Sequence, residues 1–270
     1  MSATSVTATT ESQRDQRIAF GPLRDIWAIA QRNLIAYRRV PQLLVFSTIQ
    51  PVVFVLMFRF VFGGAIQVPG MSYVQYLMPG IFVQTVVFGS LATAIGLSTD
   101  LKSGLLERFR SLPATASAPL AGRTVADLTR NVFVVALMMA VGIIVGFRIH
   151  TNLFAALAGA GLVLLFGFAM SWIFATVGLA VGDPETAQAA AFPVLAPLVF
   201  ASSAFVPVES MPSWLQVWAN HQPVSVTANA VRALMSGGPT AGYVLGAIAW
   251  AVGILVIFVP ISVQRYRRAL

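Results

Sequence analysis

The chain has 270 residues, of which 57% are hydrophobic and only 10% charged, and its mean hydropathy is +0.81. Soluble domains carry roughly 25% charged residues, so this composition excludes a water-soluble globular protein and points to a polytopic membrane protein. The formal charge of +8 is almost all arginine, with Lys102 the only lysine; the basic residues sit beside apolar runs, which fits orientation and headgroup contact rather than nucleic-acid binding.

Residues 1–21 are Ser/Thr-rich at first and lack the apolar core of a signal peptide, which predicts a flexible cytoplasmic tail. Residues 22–40 predict an amphipathic helix lying in the membrane interface. Pro22 suits its first turn. Leu23, Ile26, Trp27, Ala30, Leu34 and Tyr37 recur at spacings of three and four, while Arg24, Asp25, Gln31, Arg32, Arg38 and Arg39 fall opposite. Both a juxtamembrane anchor and a partner-docking element fit this pattern.

Residues 41–264 predict six membrane-spanning helices, at about 42–63, 73–99, 129–147, 153–181, 187–206 and 241–263. Arg59 lies near the outer end of the first span, where it can snorkel to headgroups or take an ion-pair or substrate role. Pro79-Gly80 interrupts the second span, and its length allows a kink or strong tilt. Gly142-xxx-Gly146, Gly178-xxx-Gly182 and Gly242-xxx-Gly246 permit close helix approach. Asp183-Pro-Glu185 caps the fifth span, and Pro193 and Pro197 should distort it. Residues 207–238 are too polar and broken to span, and predict short helices on, or dipping into, the outer surface. Trp214 and Trp218, one turn apart, read as interface anchors there. Residues 265–270 form a basic tail.

Six spans place both termini on one side. Fourteen of the seventeen basic residues fall on that side, in the N-terminal region, the 102–130 segment and the C-terminus. Arg59, Arg148 and Arg232 fall on the other. This asymmetry predicts a multi-pass protein of the plasma (inner) membrane with cytoplasmic termini.

Chemistry is sparse. The sequence has no cysteine, which excludes disulfides and cysteine metal sites. None of the nine acidic residues falls in the middle of an expected span, which argues against a proton-coupled carrier. There is no phosphate-binding Gly-x-x-x-x-Gly-Lys-Ser/Thr loop, no nucleophile elbow and no His-Glu-x-x-His pair. No metal site or cofactor is expected in this chain, and it is not expected to be an enzyme.

The densest charge in the middle of the chain is the island Lys102 to Pro113. Leu105, Leu106 and Phe109 share one helical face, with Glu107 and Arg110 towards the other and Arg108 between. A loop that only sets topology has no need of an apolar face. A docking helix does, its charges then setting the register.

Three stretches carry a family likeness. They are Ala30-Gln-Arg-Asn-Leu-Ile-Ala-Tyr-Arg-Arg-Val-Pro41 with Gln50-Pro51, Gly104-Leu-Leu-Glu-Arg-Phe-Arg-Ser-Leu-Pro113, and Met211-Pro-Ser-Trp-Leu215 with His221-Gln-Pro-Val-Ser225 and Ala230-Val-Arg-Ala-Leu234. In order and spacing they resemble the membrane subunit of type-2 ABC transporters, in the branch of actinobacterial daunorubicin-resistance exporters. The resemblance covers about residues 22–268. It implies an all-α permease working with two ABC ATPase subunits, which hold the ATP and magnesium, and with a second copy or a related permease. It also implies that Arg32, Asn33, Tyr37, Arg38 and Arg39 belong to a connecting helix. Lys102, Leu105, Leu106, Glu107, Arg108, Phe109, Arg110 and Pro113 would form an ATPase-coupling helix. Trp214, Trp218, His221 and Pro223 would form an outer gate on re-entrant helices.

The expected activity is export of hydrophobic or amphipathic compounds, such as drugs, antibiotics, natural products or lipids. Phe54, Met57, Phe58, Phe82, Phe88, Phe192 and Phe200 are candidate lining of the path, since such surfaces accept varied apolar ligands; facing lipid or packing between helices are the other readings of each. A membrane-embedded lipid-modifying enzyme or an assembly scaffold is the alternative from another class.

Overall fold

The computed structural model describes residues 41–104 and 118–269. The expected amphipathic helix at 22–40 and the island residues 105–113 lie outside the described residues. Eight α-helices follow in chain order: α1 Pro41–Leu56, α2 Tyr73–Lys102, α3 Ala118–Val145, α4 Leu153–Val181, α5 Pro184–Phe200, α6 Ser213–His221, α7 Pro223–Ser236 and α8 Ala241–Ala269. Helix α1 continues as a π-helical turn at Met57–Phe62, and a 3₁₀ turn covers Val208–Ser210. No strand occurs among the described residues. By length and composition, α2, α3, α4 and α8 can each cross a bilayer, and Thr48–Phe62 forms a shorter apolar helix.

Helix α2 is the axis. It packs against α1, α3, α4, α5 and α7. Every residue from Tyr73 to Val87 is buried, as expected of a helix that is apolar almost all round. Pro79 does not break it, and the helix runs on through Lys102. At 1.5 Å per residue its 30 residues reach about 45 Å, more than the ~30 Å hydrocarbon layer.

Two expected boundaries move. Helix α3 begins at Ala118, eleven residues before the expected 129, with Pro119 in its first turn, where a missing N–H costs nothing. The early part was read as loop because it carries Arg123 and Asp127. In the fold Asp127, Arg130 and Asn131 are buried and Arg123 partly so, turned inwards with polar partners.

Helix α5 stops at Phe200 rather than 206. Ser202 Oγ donates to Val199 O (2.5 Å) and accepts from Ala204 N (3.1 Å), while Ser203 N donates to Ser225 Oγ (2.9 Å). Hydroxyls thus take over bonds that would have continued the helix. Its start matches expectation: Asp183 caps Thr186 N at 3.0 Å and Pro184 opens the first turn.

The glycine pairs do unequal work. A Cβ on Gly178 would overlap the carbonyl oxygen of Ala94, so this glycine lets α4 touch the α2 backbone. Gly182, by contrast, ends α4 in the left-handed conformation at φ +72°. Gly242 meets nothing within 4 Å. Gly178→Ala should therefore destabilise the detergent-solubilised protein by about 1–3 kcal/mol, whereas Gly242→Ala should leave the thermal unfolding midpoint unchanged or slightly raised.

Candidate functional site

An aromatic surface joins α1, α2 and α5. Phe58 stacks on Phe205 with centroids 4.5 Å apart and planes within 11°. Phe54 lies 6.0 Å from Phe58, 6.4 Å from Phe200 and 5.9 Å from Phe205. Phe88 meets Phe200 edge-on at 6.5 Å, and Phe62 extends the row beyond Phe58 at 5.3 Å. Phe200 remains 48% exposed, so the surface is open on one side. Offset rings in such rows hold one another while still offering free faces to an apolar ligand.

Four of the seven path residues expected from sequence, Phe54, Phe58, Phe88 and Phe200, thus come together. Met57 lies half-buried on the π-helical turn next to Phe58. Phe82 is fully buried against Phe147 on the other side of α2, and Phe192 is exposed on α5 about two turns before Phe200. Phe205 joins the cluster although the sequence places it at the end of an expected span. The helix break at 201–206 is what turns its ring towards α1.

A buried polar knot holds that break in place. Arg232, on α7, is 7% exposed and lies over the Tyr76 ring, with its guanidinium carbon 3.7 Å from the centroid. Its Nε and Nη2 donate to Tyr76 O at 3.1 and 3.0 Å, its Nη2 also to Ser203 O at 3.0 Å, and its Nη1 to Asn229 Oδ1. Tyr76 OH donates to Ser203 O (2.9 Å) and Val206 O (3.1 Å), and Tyr73 OH to Phe205 O (3.0 Å). The carbonyls left free where α5 stops are thereby met. At the same end, His150 N donates to Met235 O (2.9 Å) and Thr151 Oγ1 to Leu234 O (2.6 Å).

A second polar group lies deeper. Asp127 and Arg130 are buried in α3 with Oδ1 and Nη1 3.7 Å apart, and Thr93 on α2 donates to Asp127 Oδ2 at 2.6 Å. The start of this helix at Ala118 brings Asp127, expected just before the third span, inside α3. At the other end of the bundle, Lys102 Nζ donates to Asp183 Oδ1 at 2.6 Å, and Arg123 Nη1 pairs with Asp100 Oδ2 at 3.1 Å. The Lys102 hydrogen bond, with help from the Thr186 donors, holds the Asp183 carboxyl down at about 2. The link is therefore complete above the ordinary carboxylate range, and is lost only as pH falls through about 2.

Residues 24–236 match the ABC-2 type transporter family. The chain belongs to that family. It is 38% identical over 239 residues to the "Daunorubicin resistance ABC transporter permease protein DrrB1" of Streptomyces coeruleorubidus, an alignment covering 87% of this chain and 83% of the relative. It is 30% identical over 225 residues to the "Probable doxorubicin resistance ABC transporter permease protein DrrC" of Mycobacterium tuberculosis, covering 83% and 81%. To the "Doxorubicin resistance ABC transporter permease protein DrrB" of the same species it is 26% identical over 237 residues, covering 83% and 79%. The chain is thus an ABC-2 permease, a transport subunit whose ATPase is a separate subunit.

The ABC-2 permease places its expected gate residues at the end where Arg232 lies. Trp214 and Trp218 are 72% and 48% exposed on α6, and His221 ends that helix. Pro223 opens α7 and is buried. The short helices divide the labour. Helix α6 stays exposed, while α7 inserts between α2, α4 and α8. Trp250 Nε1 on α8 donates to His221 O at 3.1 Å, tying the two to the last helix. Of the expected coupling residues only Lys102 is described, at the end of α2. The remaining seven, and the five of the expected connecting helix, lie outside the described residues.

The sequence places Arg232 in the short outer helices expected at 207–238 and gives it no role of its own. The available signal was an arginine inside an otherwise apolar, small-residue helix, Ala228-Asn-Ala-Val-Arg-Ala-Leu234. Replacing it with methionine keeps the bulk but leaves Tyr76 O and Asn229 without these donors. Arg232→Met should cost about 2–5 kcal/mol of stability, and Arg232→Lys less. Thermal unfolding of the purified permease measures both.

Proposed function

We propose that the chain is the transmembrane subunit of an ATP-driven exporter that moves hydrophobic or amphipathic compounds outward across the plasma membrane. Drugs, antibiotics, natural products and lipids are the classes in view. The observation that carries this reading is the 38% identity, over 87% of the chain, to a permease named for daunorubicin resistance. The open phenylalanine surface of α1, α2 and α5 supports it, since flat aromatic faces accept varied ligands without fixed hydrogen bonds.

In this reading two ABC ATPase subunits bind and hydrolyse ATP with magnesium, and two permeases, identical or related, enclose the path. Six spans, with α1 and α5 completing the four longer helices, put both termini in the cytoplasm. The island 102–113 receives the ATPase movement, and residues 22–40 rest on the same partner. The α6–α7 segment closes the outer end, with Trp214 and Trp218 held at headgroup level.

The central test is reconstitution with the partner ATPase in inverted vesicles, followed by ATP-dependent uptake of fluorescent hydrophobic compounds. Uptake of at least one compound that depends on both subunits is expected. Failure across a broad panel, with ATP turnover unresponsive to all of it, overturns export. Within that system Phe109→Ala and Glu107→Arg should leave membrane levels and ATPase association unchanged but abolish substrate stimulation and uptake together. Normal stimulation and uptake in both variants would return the island to a topology-setting loop.

Topology has a separate check, made simple by the absence of native cysteine. Single cysteines at Gln67 and Asn152 should react with an impermeant thiol reagent in intact cells, and one at Ser103 should not. Labelling at 103 from outside would sink the six-span arrangement.

A further inference from the structure

A cleft of about 120 Å³ lies between α1, α2 and α3, on the side of α2 that bears Phe88. Its rim is formed by Gln50, exposed on α1, and Phe88, half-buried on α2. Its floor is Gln84, Arg130 and Asn131, which are 2%, 6% and 4% exposed. Gln84 stands eleven residues into α2, about 17 Å along a helix about 45 Å long. The floor is therefore at mid-depth in the bundle, where polar side chains are costly and mark pathways.

The floor is built rather than accidental. Arg130 Nη2 donates to Gly89 O at 2.6 Å. A Cβ on Gly89 would stand 3.1 Å from that nitrogen and 3.0 Å from Asn131 Oδ1, so a larger residue would push both away. Asp127 balances the arginine at 3.7 Å, so the floor is locally neutral and does not call for an anion. The unmet group is the Gln84 amide oxygen, which is buried and has no donor. Leaving such an oxygen unpaired costs about 1–3 kcal/mol, and a leucine of similar size would avoid that cost. Gln84 lines the cleft, and an amide oxygen there that meets no donor from the chain asks for one from outside it.

Size narrows the guest. At about 120 Å³ the cleft is smaller than the ~150 Å³ dry cavity that admits benzene, but it is open on one side, so it takes no more than one ring. We infer that it is a binding subsite for a hydroxyl- or amine-bearing aromatic ring of an amphipathic substrate, with the ring against Phe88 and its O–H or N–H donated to Gln84 Oε1. This deepens the transport reading above, and rests on it for the word substrate.

The test uses purified permease in lipid nanodiscs, without the ATPase, and fluorine NMR of 4-fluorophenol and 4-fluoroanisole. Only the first can donate from its oxygen; the second carries a methyl there instead, so each ring is compared between the two proteins and not with the other. Wild type should bind 4-fluorophenol about tenfold more tightly than Gln84→Leu does, while 4-fluoroanisole should bind both equally. The same lipid in both samples cancels partitioning. Gln84→Leu should also be at least as thermally stable as wild type, because it removes an unpaired polar group. Equal phenol binding by the two proteins, no phenol binding by wild type, or a less stable or unfolded leucine variant would each overturn the subsite. The last would mean that Gln84 serves structure rather than a ligand. Loss of the phenol preference with ATP-driven export intact removes the subsite alone, whereas a confirmed preference without export removes the transport reading alone.

Discussion

Backbone carbonyls inside a bilayer must find donors within the protein, and the geometry of this permease turns on the place where that rule is hardest to meet. Helix α5 stops at Phe200, and the chain then runs irregularly to the 3₁₀ turn at Val208. The exposed carbonyls of Ser203, Phe205 and Val206 are answered by Tyr73, Tyr76 and Arg232. A buried arginine is costly to keep unless its charge is answered. Here its charge is spread over carbonyl oxygens and a tyrosine ring. The donors come from α2 and α7, so one local accommodation fixes the relation of three elements.

The aromatic surface depends on that accommodation. Were α5 to continue as a helix to 206, Phe205 would follow the helical rotation from Phe200 rather than stack on Phe58. The break instead folds the chain back over Gly80, where a side chain would overlap Ala204. Phe200 and Phe205 then form one row with Phe54 and Phe58. The same deviation from regular structure thus produces both the polar knot and the apolar face. The two are chemically opposite, and each is placed by the other.

Much of this was legible in the sequence, because hydropathy reports which segments avoid water. Helix α4 falls on the expected 153–181, α2 begins at the expected Tyr73, and the Asp183-Pro184 start of α5 follows from capping chemistry. Hydropathy fails where charges are satisfied internally. Arg123 and Asp127 made the first part of α3 look like a loop, although both pair with α2 inside the bundle. The end of α5 was missed for a related reason. Ser202 and Ser203 look compatible with a membrane helix, and only the approach of Ser225 from α7 reveals them as a stop. Phe54, Phe58, Phe88 and Phe200 could be picked out as aromatic residues, but their meeting needs the fold, as does the separation of Phe82 and Phe192 from them.

The burial of α2 bears on how the protein is made. Its ring hydroxyls find their acceptors far down the chain: Tyr73 bonds Phe205 across 132 residues, and Tyr76 bonds Ser203 across 127. At 5–20 residues per second, synthesis of that interval takes roughly 6 to 26 s. During that time α2 can already be in the bilayer while α5 and α7, which will cover it, are still being translated. Gln75, Gln84, Thr93 and the two tyrosines must then lie against lipid, water or the insertion machinery. The helix that ends as the most enclosed part of the permease begins as its most exposed, and its polar side chains make this the interval in which a nascent chain is most open to mispairing or removal.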